Sequence, residues 1–345
     1  FFSSRRRHTR YISVTGVQTC ALPILDKLNK DYTMPFEIPT MELKLNNLCN
    51  LKCRMCHPMD STSWNDWGEI KEFYKKENNI MFDIVEEHNL ENKPFLDKFQ
   101  DSPEWWASLE QNLPHFRRVE FAGGEPLMDP QHYRILDMLA PYGHQIEIKY
   151  ATNLSTLGIK GGRNVDEYWS KFRSVAVNVS IDGIGPVYEY IRGNGDWDTL
   201  VQNIQTIQAI PNISRIVGAV TVQVSNVLIL DQMIELFLDQ LGIVFHTHRV
   251  AYPELLSIQV LPRKIKEQAV KRLINIEKRL KSFKMIQLHP ELLEYTRGQI
   301  QDNINYLISK DQSRLWPDCV EFNRRLDATR NQSFTDVTPE FKPHV

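Results

Sequence analysis

Six short apolar segments recur along the chain, and helical patterning follows five of them. Residues 41–45 (MELKL) alternate apolar and polar positions, as a half-buried strand does. Residues 116–124 (FRRVEFAGG) and 145–153 (QIEIKYATN) repeat that pattern, as do 174–183 (SVAVNVSIDG), 215–226 (RIVGAVTVQVSN) and 243–252 (IVFHTHRVAY). Helical spacing follows through Tyr133, Leu136 and Leu139, around Tyr168 and Trp169, along Trp197–Ile210, and through Met233, Leu236 and Leu238. Such alternation predicts parallel strands joined by helical crossovers. Eight repeats would close a barrel. Six predict an α/β fold with an open, partial (β/α)6 barrel.

Two regions depart from the alternation. A helical insertion after the first strand, about 60–115, holds Trp64, Trp67, Phe73, Tyr74, Trp105 and Trp106. These rings either line a substrate cleft or pack a lid against the barrel. Beyond Pro262 the pattern is helical, and Ile265, Ala269, Leu273, Ile276 and Leu280 make one stripe. The expected organisation is a core over 41–255 with that insertion, then a mostly helical extension over 256–345. The extension's first helix is basic, which reads as a solvated surface or as a nucleic-acid face.

Residues 1–24 fit neither period, and carry four arginines with no acid. They resemble translated sequencing-adapter sequence, the alternative being a basic targeting arm. The expectation is that 1–24 are a disordered artefact and 25–40 a linker from a truncated N-terminal region. Setting 1–24 aside removes Cys20 and takes the net charge from −2 to −6.

With 345 residues, 42% hydrophobic and 24% charged, the chain has the composition of a globular protein with ample core. No apolar run is long enough to span a membrane, and no export signal is visible, so the expected location is the cytoplasm. Five cysteines in such a length exclude a disulfide scaffold.

Three of those cysteines, Cys49, Cys53 and Cys56, fall within eight residues in the loop leaving the first strand. Thiolates so close can converge on a soft metal centre. Zinc normally takes four closed ligands, and only His57 stands nearby. A [4Fe–4S] cluster on three thiolates leaves one iron open to a small molecule. Cys319 stands apart and reads as a buried apolar residue. His246 and His248 share one face of the sixth strand, pointing into the barrel either as substrate contacts or as packed histidines.

The C-x3-C-x2-C spacing after the first strand of a β/α chain resembles the radical S-adenosylmethionine (radical SAM) superfamily. Gly123-Gly124-Glu125-Pro126, ending the second strand, is similar to the family's GGEP motif. The third strand ends at Ala151-Thr152-Asn153 like the family's T-N-G, with Leu154 replacing the glycine. Ser180 and Asp182 end the fourth strand, and Arg192 follows. Asn46-Asn47-Leu48-Cys49-Asn50-Leu51-Lys52-Cys53 and the insertion look more narrowly like twitch-domain members.

The resemblance implies that Cys49, Cys53 and Cys56 hold a [4Fe–4S] cluster and that Glu125 accepts from the cofactor's ammonium group. Ser180 and Arg192 would hold its ribose and carboxylate, and Met55 would pack on adenine. Gly123, Gly124 and Pro126 would bind the cofactor with Glu125, the glycines admitting close backbone approach. Asn153 and Asp182 would be either cofactor contacts or strand-end caps. The implied activity is reductive cleavage of S-adenosylmethionine (SAM) to a 5′-deoxyadenosyl radical that abstracts hydrogen from a substrate, a peptide being one class. A low-potential flavodoxin- or ferredoxin-like donor is implied as partner, and an auxiliary Fe–S cluster in the absent N-terminal region. No membrane or nucleic-acid partner is expected. The alternative is a non-catalytic Fe–S or zinc module that recognises a partner through its aromatic insertion.

Overall fold

Six strands rich in β-branched and aromatic residues pair in the order in which they occur, all parallel. They are β1 (Thr40–Lys44), β2 (Arg118–Ala122), β3 (Glu147–Thr152), β4 (Ser174–Ser180), β5 (Ile213–Val222) and β6 (Val244–Arg249). The computed structural model describes residues 38–77, 79–94, 101–250 and 252–345. The expectations for residues 1–24 and for 25–37 of the linker lie outside the described residues.

Helices fill every interval. The insertion after β1 contains α1 (Trp67–Lys76), α2 (Ile80–Glu87) and α3 (Pro103–Asn112). Next come α4 (Pro130–Leu139), α5 (Asp166–Trp169), α6 (Pro186–Ile191), α7 (Trp197–Gln208) and α8 (Leu230–Glu235). After β6 the chain is helical: α9 (Arg263–Arg279), α10 (Lys284–Leu288), α11 (Leu292–Ser309), α12 (Trp316–Arg330) and α13 (Phe334–Val337). This is the expected partial barrel, with insertion and extension helical as read. Local chemistry sets the boundaries. Asp129 caps α4 by accepting from Gln131 N, with Pro130 in the first turn, and Asp196 caps α7 by accepting from Thr199 N.

The helix-facing side of the sheet is the core, where Phe121, Tyr150 and Val177 meet Tyr133, Leu136 and Trp169. Trp64, Trp67, Phe73 and Tyr74 are buried too, Phe73 lying 5.6 Å from Phe322 of α12. For these four rings packing is the role the structure gives, not a cleft lining. Trp105 and Trp106 are half-buried, with the Arg134 guanidinium 3.6 Å over the Trp106 ring. The apolar stripe of α9 faces inward and its cations are mostly exposed, the arrangement of a solvated helix surface. Among the described residues no helix is long and apolar enough to cross a membrane.

His132 of α4 is fully buried against Phe121 and Tyr150, its Nε2 2.8 Å from the Tyr150 hydroxyl. Burial alone pushes its pKa from 6.5 down to about 3. Between these values the unfolded chain binds a proton that the folded chain refuses, so stability falls as pH falls through the window. Across it His132→Phe should lose less stability with acidification, the difference approaching about 1.4 kcal/mol per pH unit. Parallel stability–pH curves from denaturant titrations would refute this.

Candidate functional site

The loop after β1 is buried yet has no regular structure, so its backbone groups take partners from elsewhere. Lys52 N donates to Gly193 O at 2.8 Å and Arg54 N to Ile191 O at 2.9 Å, which lays the loop along the end of α6. Glu125 N donates to Leu48 O at 2.6 Å, joining the loop to the end of β2. Cys49 and Cys53 are buried, Cys56 is half-buried, and Met55 and Cys56 pack against the other two cysteines and Leu51. Two donors reach the sulfurs: Asn153 Nδ2 lies 3.5 Å from Cys49 Sγ and Arg192 Nη1 3.7 Å from Cys53 Sγ.

The strand ends supply the surroundings. Gly123 and Gly124 have φ of +76° and +49°, in the left-handed region. A Cβ on Gly124 would stand 2.5 Å from Leu48 O, so the glycine is required for the cysteine loop to close on β2. Pro126 starts a short buried turn beyond it. Glu125 is buried and accepts from Thr152 Oγ1 and Asn153 N at 2.7 Å and from Leu127 N at 3.1 Å. A carboxylate accepts about four hydrogen bonds, which leaves roughly one position for a further donor. Asn153 Oδ1 accepts from Ser155 N at 2.8 Å, the strand-end cap anticipated as one reading, while its amide reaches Cys49. Leu154, where the family pattern has glycine, sits at φ +51°.

Asp182 caps a strand end, one of its two readings, and also holds Arg192. Its Oδ1 caps Thr221 N at 2.6 Å, and its Oδ2 lies 2.6 Å from Arg192 Nη2 in a buried ion pair. Met55 Sδ accepts from Gln223 Nε2 at 3.6 Å. Ser180 ends β4 and faces the open side of the sheet. Eleven of the twelve residues singled out by sequence therefore lie on the cysteine loop or at the ends of β2, β3 and β4 and just beyond, and Arg192 is the C-cap of α6.

Electrostatics differentiate the three thiols. A hydrogen bond with Cys56 pulls Cys53 below the ordinary thiol range against the opposing effect of burial, and the Arg192 cation adds to the pull. Cys56 is pushed up by the same hydrogen bond and by burial. Burial first, then the Cys53 charge, push Cys49 up to about 12. A metal centre loading here would displace protons from the last two. Burial raises Glu125 to about 7, although its three hydrogen bonds oppose the rise. Burial works to lower Arg192, but Asp182 and Cys53 outweigh it and hold the guanidinium firmly charged.

These residues fit a cluster with a bound zwitterion. A cubane takes one thiolate per iron, so three thiols in one loop suit it and leave one iron open to a further ligand. Beside the loop, Arg192 Nε is a buried donor and Gln223 Oε1 a buried acceptor, and neither has a partner. Such groups are costly unless something bonds them.

Sequence reasoning missed the braces. Arg54, between the second and third cysteines, is fully buried and stacks 3.6 Å over Tyr190. It donates to Tyr190 O, Asn323 Oδ1 and Gln332 Oε1, and pairs with Asp327 at 2.5 Å. Arg330 pairs with Asp66 at 2.7 Å and donates to Lys52 O at 2.8 Å. A basic residue inside the cysteine spacing was the available signal, but partners more than 260 residues away gave no pattern to read. Cys319 is fully buried on α12, as expected of an apolar residue.

A sequence profile described as the Radical SAM superfamily matches residues 43–222. No curated protein matches. Among solved structures, Streptococcus suis SuiB bound to precursor peptide SuiA is 13% identical with a TM-score of 0.43, the match covering 84% of this chain and 59% of that one. The anSMEcpe structure with bound AdoMet is 13% identical with a TM-score of 0.45, covering 70% and 61%. The chain thus spans about three fifths of the length of either.

Arg54→Ala would strand Asp327 and Asn323 and unclamp the cysteine loop. A stability loss of about 3 kcal/mol is expected in denaturant titrations. Arg325→Ala, which breaks the surface pairs with Glu321 and Glu72, should leave stability nearly unchanged. Equal effects from the two would contradict the brace.

Proposed function

Since the chain belongs to the radical SAM superfamily, we propose that it is a radical SAM enzyme whose Cys49, Cys53 and Cys56 hold a [4Fe–4S] cluster. The observation that carries this reading is the trio of thiols in one buried loop, flanked by the partnerless Arg192 Nε and Gln223 Oε1. When bound, the cluster and SAM supply one-electron cleavage of a carbon–sulfur bond and, from it, hydrogen abstraction.

This chain's residues bind and orient. Arg192 anchors the carboxylate of SAM while Asp182 fixes the guanidinium, and Glu125 takes the ammonium on its remaining acceptor position. Ser180 holds the ribose, and Met55 packs beside adenine, oriented by Gln223. Asn153 and Arg192 direct N–H groups at the Cys49 and Cys53 sulfurs. Hydrogen bonds to ligating sulfur adjust a cluster's reduction potential. The buried aromatics of the insertion and the α12 braces keep water from the loop. The electron comes from a low-potential donor of the flavodoxin or ferredoxin kind. We place the chain among twitch-domain members on its Asn46–Cys53 segment and the insertion after β1.

Anaerobic reconstitution should give protein with iron and sulfide, brown absorbance, and 5′-deoxyadenosine from SAM with dithionite. Cys53→Ala should lose both absorbance and cleavage. One equivalent of zinc without deoxyadenosine, or full cleavage by Cys53→Ala, would refute the assignment.

A further inference from the structure

The sheet's other face carries chemistry that the cluster does not use. In-register neighbours on parallel strands point the same way, so the pairing orders this face into layers. Glu120, Lys149, Ala176 and Arg215 form the lowest layer. Ala151, Asn178, Val217 and Val244 lie above it. Ser180, Ala219 and His246 come next, and then Thr221 and His248. Ala151, Ala176 and Ala219 are small, which leaves room between the layers.

A cavity of about 490 Å³ follows this ladder, bounded by Lys149, Ser180, Arg215, His246, His248 and Tyr295. That is the size range of small-molecule sites. Lys149 is neutralised by Glu120 at 2.7 Å. Arg215 is exposed, and no carboxylate pairs with it among the described residues. His246 Nδ1 lies 2.9 Å from the Tyr295 hydroxyl, and the two imidazoles meet edge to face at 4.5 Å. Burial, and secondarily His248, hold His246 below its ordinary pKa, so near neutral pH it is a hydrogen-bonding group and not a second cation. With Lys149 paired to Glu120, Arg215 is the lining guanidinium for which no carboxylate partner is found among the described residues.

We propose that this cavity binds an anionic group, a carboxylate or a phosphate, of a small substrate, with Arg215 as its anchor and His246 and Tyr295 as hydrogen-bonding partners. A guanidinium is suited to bidentate recognition of either oxyanion. Ser180 lies two layers above Arg215, so a substrate anchored at Arg215 extends toward the strand ends where the cofactor is proposed to bind. This orientation rests on the function proposed above, whereas anion binding does not.

The test is calorimetry on the full chain with methyl phosphate, propionate and, as neutral control, propionamide. At least one anion should bind about tenfold or more tightly than propionamide, and the one preferred identifies the source of the charge. Arg215→Gln should weaken that anion about tenfold or more, and His246→Asn severalfold, with thermal unfolding checked for both. Anions no better than propionamide, or undiminished binding by folded Arg215→Gln, would overturn the proposal. Wild-type protein that makes deoxyadenosine but binds neither anion sinks this inference alone. Anion binding without deoxyadenosine sinks only the earlier reading.

Discussion

The structure depends on burying a loop that has no hydrogen-bonding pattern of its own. The segment carrying the three thiols, between β1 and α1, forms neither helix nor strand. Once irregular and buried, its amides and carbonyls must be bonded from outside. Three sources do this: the end of α6 through Gly193 and Ile191, the end of β2 through the Leu48–Glu125 bond, and α12 through Arg330 and Lys52. Ser61 Oγ adds a bond to Leu51 O at 2.5 Å. The partial barrel is the frame that brings those three sources to one side of the loop.

Electrostatics follow from that placement. Three guanidiniums are buried near the loop, and each has a carboxylate: Arg54 with Asp327, Arg192 with Asp182, and Arg330 with Asp66. Buried pairs of this kind contribute little net stability, since desolvation consumes much of the attraction, but losing one partner is expensive. They specify geometry. Arg54 fixes where the loop lies, and Arg192 fixes a cation beside Cys53. On the sheet's open face the balance differs, because Arg215 is left with no such carboxylate among the described residues. One face is closed electrostatically and the other is open, a difference that a net charge of −2 conceals.

What the sequence revealed follows from how local each constraint is. Every strand was legible because β-branched alternation is a property of neighbouring residues, and the observed strands begin and end within a few positions of those expected. The cysteine spacing was legible because three thiols within eight residues are a local pattern, and Gly123–Gly124 because a left-handed backbone against the neighbouring loop admits no side chain. Arg54 was not, because its meaning lies in Asn323 and Asp327, 269 and 273 positions away. Asn153 and Asp182 were each open to two readings, and the structure gives each the cap together with a second polar contact, to Cys49 Sγ or to Arg192. A strand-end side chain has more than one polar atom, and here one caps while another turns to the site. Leu154 shows a local rule overridden. Its left-handed φ costs about 1–2 kcal/mol, and burial of the leucine side chain offsets a comparable amount.

The helical extension is accordingly part of the site's construction. Its helix α12 supplies Asn323, Asp327 and Arg330 to the cysteine loop, and Phe322 to the insertion's aromatics. Its helix α11 satisfies the edge of β6, where Gln299 accepts from Thr247 N at 2.8 Å, and supplies Tyr295 to the cavity. An exposed edge strand is a liability that a covering helix removes. The same extension thus braces the buried loop at one end of the sheet and walls the cavity along the other edge. A partial barrel alone would have neither. The C-terminal quarter of the chain therefore determines the shape of a site whose recognisable motifs all lie before Gly193.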